Sequence, residues 1–332
     1  MTEKRAVRFG LRLPTFALGQ ATTQLDEMAD YLQAAEELGF ETAFVIDHLL
    51  VTPPAYSTTW LDALTVLTAL AARTKKIRLG PLVLVVPLWN PVRLAKVIAT
   101  MDFLSGGRVI FGAGAGWNPK EFESFGIPLR RRGVRTTEAI EVMRRVWTED
   151  DVHHRGEFYT LDGVTVEPKP IQKPHPPIWI GGGTQPSEVV YHTAKPNVDP
   201  VLRRVVRYAD AWVPHSSSTP EMNRKDWDTV RCLAAEGGRD LSTLEVVYSN
   251  FVYVVKGKST RDKAPQQYAR YSGLNFADIE QYYLVGTPEE LIARISARMK
   301  ATDGMDHIVL NPLSFDIHQL RLIAEDIMPH FV

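Results

Sequence analysis

Proton chemistry needs a titratable side chain held at the end of a rigid element, and the run VIDHLL offers one. It places Asp47 and His48 at the carboxyl end of an apolar stretch. Histidine titrates near neutrality and is the commonest general acid or base, so His48 beside a carboxylate is a candidate proton donor or acceptor. A hydrogen-bonded structural histidine is the competing reading, and the position directly after an apolar strand favours the catalytic one.

Glycines mark two further places. Residues 108–122 read RVIFGAGAGWNPKEF, with glycine at 112, 114 and 116. Removing side chains there lets a flat ring lie against the backbone, or supplies the positive φ of a tight turn; both can hold together. A dinucleotide-binding turn does not fit the spacing. Counted from Gly112 the G-x-G-x-x-G pattern needs glycine where Trp117 stands, and counted from Gly114 it needs glycine where Pro119 stands. No ribose-binding acid follows about 20 residues on, where the chain reads RRRGVR. That run reads as a solvated helix start rather than as a clamp for an anion. Farther along, IWIGGGTQPSEVV sets Gly181, Gly182 and Gly183 after another apolar run, with Thr184 as a helix cap and Pro186 in the first turn. Free amides at such a start suit a phosphate, a signal that three glycines alone carry weakly.

The elements that position these groups are eight short apolar runs starting at Val7, Thr42, Ile77, Arg108, Pro177, Ala211, Leu244 and His307. Strands buried on both faces lose their polar alternation, so such runs read as parallel strands. Between them lie amphipathic helical stretches at 25–38, 61–73, 91–104, 136–147, 200–208 and 288–300. Eight βα units favour a closed (β/α)8 TIM barrel over an open doubly wound sheet of about six strands. The steps from 108 to 177 and from 244 to 307 are roughly double the others, so insertions are expected after strands four and seven, at about 149–176 and 256–286 of a single domain spanning 1–332. The first insertion, GEFYTLDGVTVEPKPIQKPHPP, reads as a hairpin with an Asp-Gly turn followed by an extended connection. The second is polar and reads as a helical cover. Function in such a barrel collects at the carboxyl ends of the strands. There the strand-three run GPLVLVVPLWNP offers an apolar pocket wall, or plain barrel core.

Composition narrows the partners. Lys plus Arg at 38 nearly cancel Asp plus Glu at 39, which recommends neither nucleic acid nor a membrane surface and moves a small organic molecule up. A single cysteine and a start, MTEKRAVRFGLRLP, without a signal-peptide core fit a reducing cytoplasm. The nine histidines are scattered and no H-E-x-x-H occurs, so no metal site is expected. No G-x-S-x-G elbow points to serine hydrolysis.

Taken together, VIDH, RVIFGAGAGWNPKEFESFGIPLRRRGVRTTEAIEVMRRVW, GEFYTLDGVTVEPKPIQKPHPPIWIGGG and YLVGTPEELIARI resemble the luciferase-like flavin-dependent oxidoreductases over almost the whole chain. The long central pair resembles the branch that uses coenzyme F420, an 8-hydroxy-5-deazaflavin. The resemblance implies an isoalloxazine-type ring at the strand ends and a cis peptide in strand three against it, here Leu82–Val83. It implies His48 near the reactive ring atoms and Asp47 hydrogen-bonded to the cofactor or to His48. Gly114 and Gly116 would lie in the floor beneath the ring, Trp117 and Asn118 at the pocket edge, and Gly181, Gly182, Gly183 and Thr184 by the phosphate. Hydride transfer to or from a small organic substrate follows, in a homodimer whose interface falls on 61–73 and 91–104. An FMN-dependent monooxygenase supplied with reduced flavin by a partner flavin reductase is the alternative, and a non-catalytic flavin-binding protein a third reading. Sugar-phosphate dehydrogenases of the deazaflavin group carry a glutamate where this chain has Trp117, which disfavours a sugar phosphate. The segment YHTAKPNVDP, 191–200, interrupts the usual path from strand five to its helix.

Overall fold

The computed structural model describes residues 6–17, 25–53, 58–186, 198–257, 263–269, 275–312 and 314–332. Eight parallel strands run around a nearly closed barrel: β1 (Arg8–Arg12), β2 (Thr42–Val45), β3, β4 (Phe111–Gly114), β5 (Ile178–Gly181), β6 (Ala211–Val213), β7 (Glu245–Val254) and β8 (His307–Asn311). Strand β3 is two pieces. Arg78–Pro81 pairs with β2 and Leu84–Val85 pairs with β4, and the change of partner falls at Leu82–Val83, whose peptide is cis. A bridge between Leu79 and Val109 joins the first piece to the start of β4. Each strand is followed by a covering helix: α1 (Leu25–Glu37), α2 (Ala63–Arg73), α3 (Pro91–Ser105), α4 (Arg132–Thr148), α5 (Asp199–Tyr208), α6 (Pro220–Gly237), α7 (Pro288–Ala301) and α8 (Ile317–Asp326). All eight expected strands are present, and most of the helices start at a side-chain cap or a proline, α4 having neither. Asn90 accepts from Val92 and Arg93 ahead of Pro91, and Thr287 with Glu290 closes a capping box at α7.

Apolar side chains fill two layers. The larger joins the outer strand faces to the helices; the smaller, inside the barrel, comprises Phe44, Leu82, Ile110, Trp179, Ala211, Val213, Val247 and Val309. Phe44 and Trp179 pack with tilted rings, centroids 5.0 Å apart, in the middle of this layer. Because side chains alternate across a strand, each residue of the layer has its next inward neighbour two positions on, toward the carboxyl end. Those neighbours are Ile46 and His48 just beyond β2, Gly112 and Gly114 on β4, Gly181 on β5, His215 beyond β6, and Ser249 and Phe251 on β7. Apart from Ile46 and Phe251 they are glycines or polar residues, and there the interior opens.

The insertions differ in detail from the sequence expectation. The hairpin pairs Val152–Arg155 with Thr160–Val164, so its turn lies at 156–159. Asp162 and Gly163 sit inside the second strand instead, where Gly163 has φ +67° and the pairing shifts register. In the second insertion the described residues form helices Lys263–Ala269 and Phe276–Ile279, then a strand, Leu284–Gly286, that pairs with the end of β7.

Candidate active site at the barrel mouth

The strand ends enclose a cavity of about 670 Å³. Of the residues singled out in the sequence, Asp47, His48, Leu82, Val83, Gly114, Gly116, Gly181, Gly182 and Gly183 line it. Its floor revises the reading of the glycines. A Cβ at Gly181 would stand 2.8 Å from Val83 Cγ1, and one at Gly114 would collide with Val83 Cγ2. Gly112 lies under the Pro81 carbonyl, where a side chain would strike backbone. The missing side chains therefore make room for the displaced turn of β3, and Val83 itself is the apolar surface that faces the cavity there. Gly116, at φ +73°, adopts a conformation that L residues avoid, and a Cβ there would come within 2.5 Å of Val85 Cγ1.

His48 does not pair with Asp47. Its Nδ1 lies 3.2 Å from Oε1 of Glu121, a fully buried carboxylate that also accepts the Leu49 amide at 2.9 Å and the Leu50 amide at 3.3 Å. Burial alone would raise the Glu121 carboxyl; the His48 ring and the two amides outweigh it and hold it below the ordinary range. Rings of Trp60 and Trp117 flank the imidazole at 5.3 and 5.9 Å. Glu121 was invisible as a site residue because NPKE reads as an ordinary helix start, with proline at N1 and glutamate at N3. Asn118 caps that short helix, Pro119–Ser124, by accepting from the Lys120 amide, and is 3% exposed rather than on the cavity edge.

Asp47 accepts the Val85 amide at 2.8 Å and so ties the end of β2 to the second piece of β3. Burial raises its carboxyl to about 6, with the Glu121 and Asp62 charges adding to the rise and the Val85 amide and His48 opposing it. Thr184 is also turned away from its expected role. Its hydroxyl and amide both bond Asp226, at 2.7 and 2.6 Å, and the start of a helix directly after it falls at 187–197, outside the described residues, as does most of 191–200.

Two groups of cavity residues escaped the sequence reading. Near Gly182 and Gly183, Arg130, Arg132 and Arg204 converge on the start of α4. Arg204, 5% exposed, donates to Thr137 Oγ1 and to the Gly133 carbonyl, and burial pushes its guanidinium down to about 10. Among the described residues none of the three pairs with a carboxylate. Of the RRRGVR run, Arg130 is exposed, and Arg131, partly exposed, pairs with Glu157. Across the barrel, Arg12, His215, Ser249 and Phe251 form the opposite wall. Burial and the nearby Arg12 charge lower the His215 ring to about 4, so it is neutral at physiological pH. Counting inward positions by twos from the strand starts would have found Arg12, His215 and Ser249.

The cavity at the barrel mouth, with a carboxylate-held histidine just beyond strand two and glycines backing strand three, is the site of an α/β barrel, and the chain belongs to the luciferase-like monooxygenase family, whose model matches residues 7–280. It is 25% identical, over 97% of this chain and 94% of the relative, to the FMNH2-dependent dimethylsulfone monooxygenase of Pseudomonas putida. It is 26% identical, over 91% of this chain and 93% of the relative, to the F420-dependent glucose-6-phosphate dehydrogenase of Amycolatopsis mediterranei. Among solved structures, the monooxygenase RslO1 of Streptomyces bottropensis superposes with a TM-score of 0.79 at 25% identity, covering 98% of this chain and all of that one (100%). The protein is a luciferase-like oxidoreductase. No helix among the described residues is long and apolar enough to cross a membrane.

Proposed function

We propose that the cavity holds the tricyclic ring of coenzyme F420 and that the protein moves a hydride between this deazaflavin and a small organic substrate. The observation that carries the reading is the polarity of the cavity from end to end. Val83 and its flanking glycines form an apolar seat, His48 stands at one side, and three arginines without carboxylates stand beyond Gly182 and Gly183. Several guanidiniums suit a tail bearing a phosphodiester and carboxylates. When bound, the deazaflavin supplies hydride chemistry at a ring carbon that activates oxygen poorly. Glu121 fixes the His48 ring through Nδ1, so the companion proton is held or released at Nε2. The indoles of Trp60 and Trp117 keep water from that imidazole.

A second reading, an FMN-dependent monooxygenase fed by a flavin reductase, is favoured by the end-to-end similarity to the dimethylsulfone enzyme. The two separate in one comparison. With reduced F420 the chain is expected to reduce a carbonyl or imine acceptor panel without oxygen uptake, and His48→Gln to slow that step by about 10²- to 10⁴-fold while ring binding changes little. Oxygen uptake with reduced FMN, or an unaffected His48→Gln variant, would count against it.

A further inference from the structure

The wall formed by β1, β6 and β7 carries a charge that the cofactor reading leaves unused. Arg12 is the inward residue two positions after Gly10, at the carboxyl end of β1, and β1 stands across the eight-strand ring from β5 and its glycines. Its guanidinium lies 4.9 Å over the Phe251 ring, which fixes its direction. Among the described residues it meets no carboxylate, and its Nε is buried without an acceptor. Asp47, on the far side of β1 from β7, is the single acid among the described residues lining the cavity.

Two neighbours complete the picture. Ser249, on the same face of β7 as Phe251, is 3% exposed, and its hydroxyl is buried with no partner. His215 receives the Ser217 amide at Nδ1, at 3.3 Å, with the Ser217 hydroxyl at 2.8 Å from the same nitrogen. That leaves the proton of the neutral ring on Nε2, as a donor. A half-buried arginine whose buried Nε has no acceptor, a buried hydroxyl without a partner and an imidazole N–H on one wall form a donor set without an acceptor, and unmet buried donors of this kind are costly unless something fills them.

We propose that Arg12, Ser249 and His215 form a substrate subsite for an organic oxyanion, a carboxylate or a sulfonate, carried by the molecule that reacts over Val83. The assignment rests on the reading of the cavity as a flavin-type site, since it names the substrate of that reaction. A planar fork matches two oxygens of either group, and the hydroxyl and imidazole supply further donors. When a cofactor tail occupies the arginines near Gly182, they are not available to the same group.

The test is calorimetric titration of the full-length protein with hexanoate, 1-hexanesulfonate and 1-hexanol, each with and without saturating F420 or FMN. One or both anions are expected to bind at least about tenfold more tightly than the alcohol, and the preferred anion distinguishes a planar from a tetrahedral headgroup. Arg12→Gln should remove that preference, Arg12→Lys should keep part of it, and Ser249→Ala should weaken the anion by severalfold. Hexanol binding as tightly as the anions, no anion binding, or an Arg12→Gln protein with wild-type anion affinity would overturn the subsite. If the Arg12 variants do not fold, the wild-type preference and the Ser249→Ala loss decide the question. Flavin quenching of tryptophan fluorescence in the same samples keeps the two readings apart. Anion binding that depends on Arg12 in a protein that binds no flavin sinks the cofactor reading alone, and flavin binding without anion preference sinks the subsite alone.

Discussion

Replacing Asp47 by asparagine should stabilise the protein above neutrality and leave it nearly unchanged in acid. Asp47 keeps its proton to about 6 in the folded protein, against 3.8 in the unfolded chain, because burial and the neighbouring Glu121 and Asp62 carboxylates disfavour its charge. The folded state therefore binds the extra proton between those two values, and stability falls as pH rises through that window. At ~1.4 kcal/mol per pH unit the full penalty above pH 6 is ~3 kcal/mol, and the carboxyl's partial contact with the cavity trims the expected effect to ~1–3 kcal/mol. Asparagine keeps an oxygen for the Val85 amide, so the hydrogen bond that joins β2 to β3 survives. Urea unfolding followed by tryptophan fluorescence at intervals from pH 4 to pH 8 reads the difference, and groups common to both proteins cancel to first order. The gain of Asp47→Asn over wild type should grow between pH 4 and pH 6 and then level off. Parallel curves, or a variant that loses ground as pH rises, would refute the reasoning. The Asp47 charge also acts on His48, and it is lost at about pH 6, so an acid limb of the activity profile at that pH should move in this variant.

Three other substitutions probe the site's framework. Gly114→Ala forces a methyl into Val83, and it should cost ~1–3 kcal/mol in stability and weaken ring binding by at least tenfold in a fluorescence titration. Glu121→Leu strips the acceptor from His48 and from the Leu49 and Leu50 amides; a loss of ~2–4 kcal/mol by urea unfolding is expected, with Glu121→Gln costing less than half as much. Arg132→Gln should weaken binding of an anionic cofactor by about tenfold and flatten its salt dependence, while binding of a tail-less deazaflavin analogue stays unchanged.

The barrel was legible because its strands are short β-branched runs at nearly regular spacing and its helices carry their own caps. His48 and the glycines were legible for the same reason, since a strand end fixes where the next residue points. Glu121 was not, because the pattern that hides it is an ordinary helix start and its partner is 73 residues away. Thr184 misled in the other direction: its place after three glycines promised a cap, whereas Asp226, from α6, claims both its hydroxyl and its amide. Gly112 and Gly114 asked the right question, but what presses on them is the neighbouring strand. Only the pairing of β3 with two different partners reveals that, and no local pattern encodes it. Of the arginines near Gly182, Arg130 and Arg132 come from the turn into α4 and Arg204 from α5, far apart in sequence, and their convergence is a property of the assembled barrel.

The central claim is that Val83, flanked by Gly114 and Gly181, seats a deazaflavin ring. A side-by-side titration of the purified protein with F420 and with oxidised and reduced FMN tests it, read by quenching of the tryptophans that include Trp117 in the cavity wall. The account predicts saturable binding of F420 in the micromolar range, at least tenfold tighter than either form of FMN and lost in Gly114→Ala. Selective binding of reduced FMN would contradict the hydride-transfer reading within the family, and failure of all three to bind would contradict the flavin site itself.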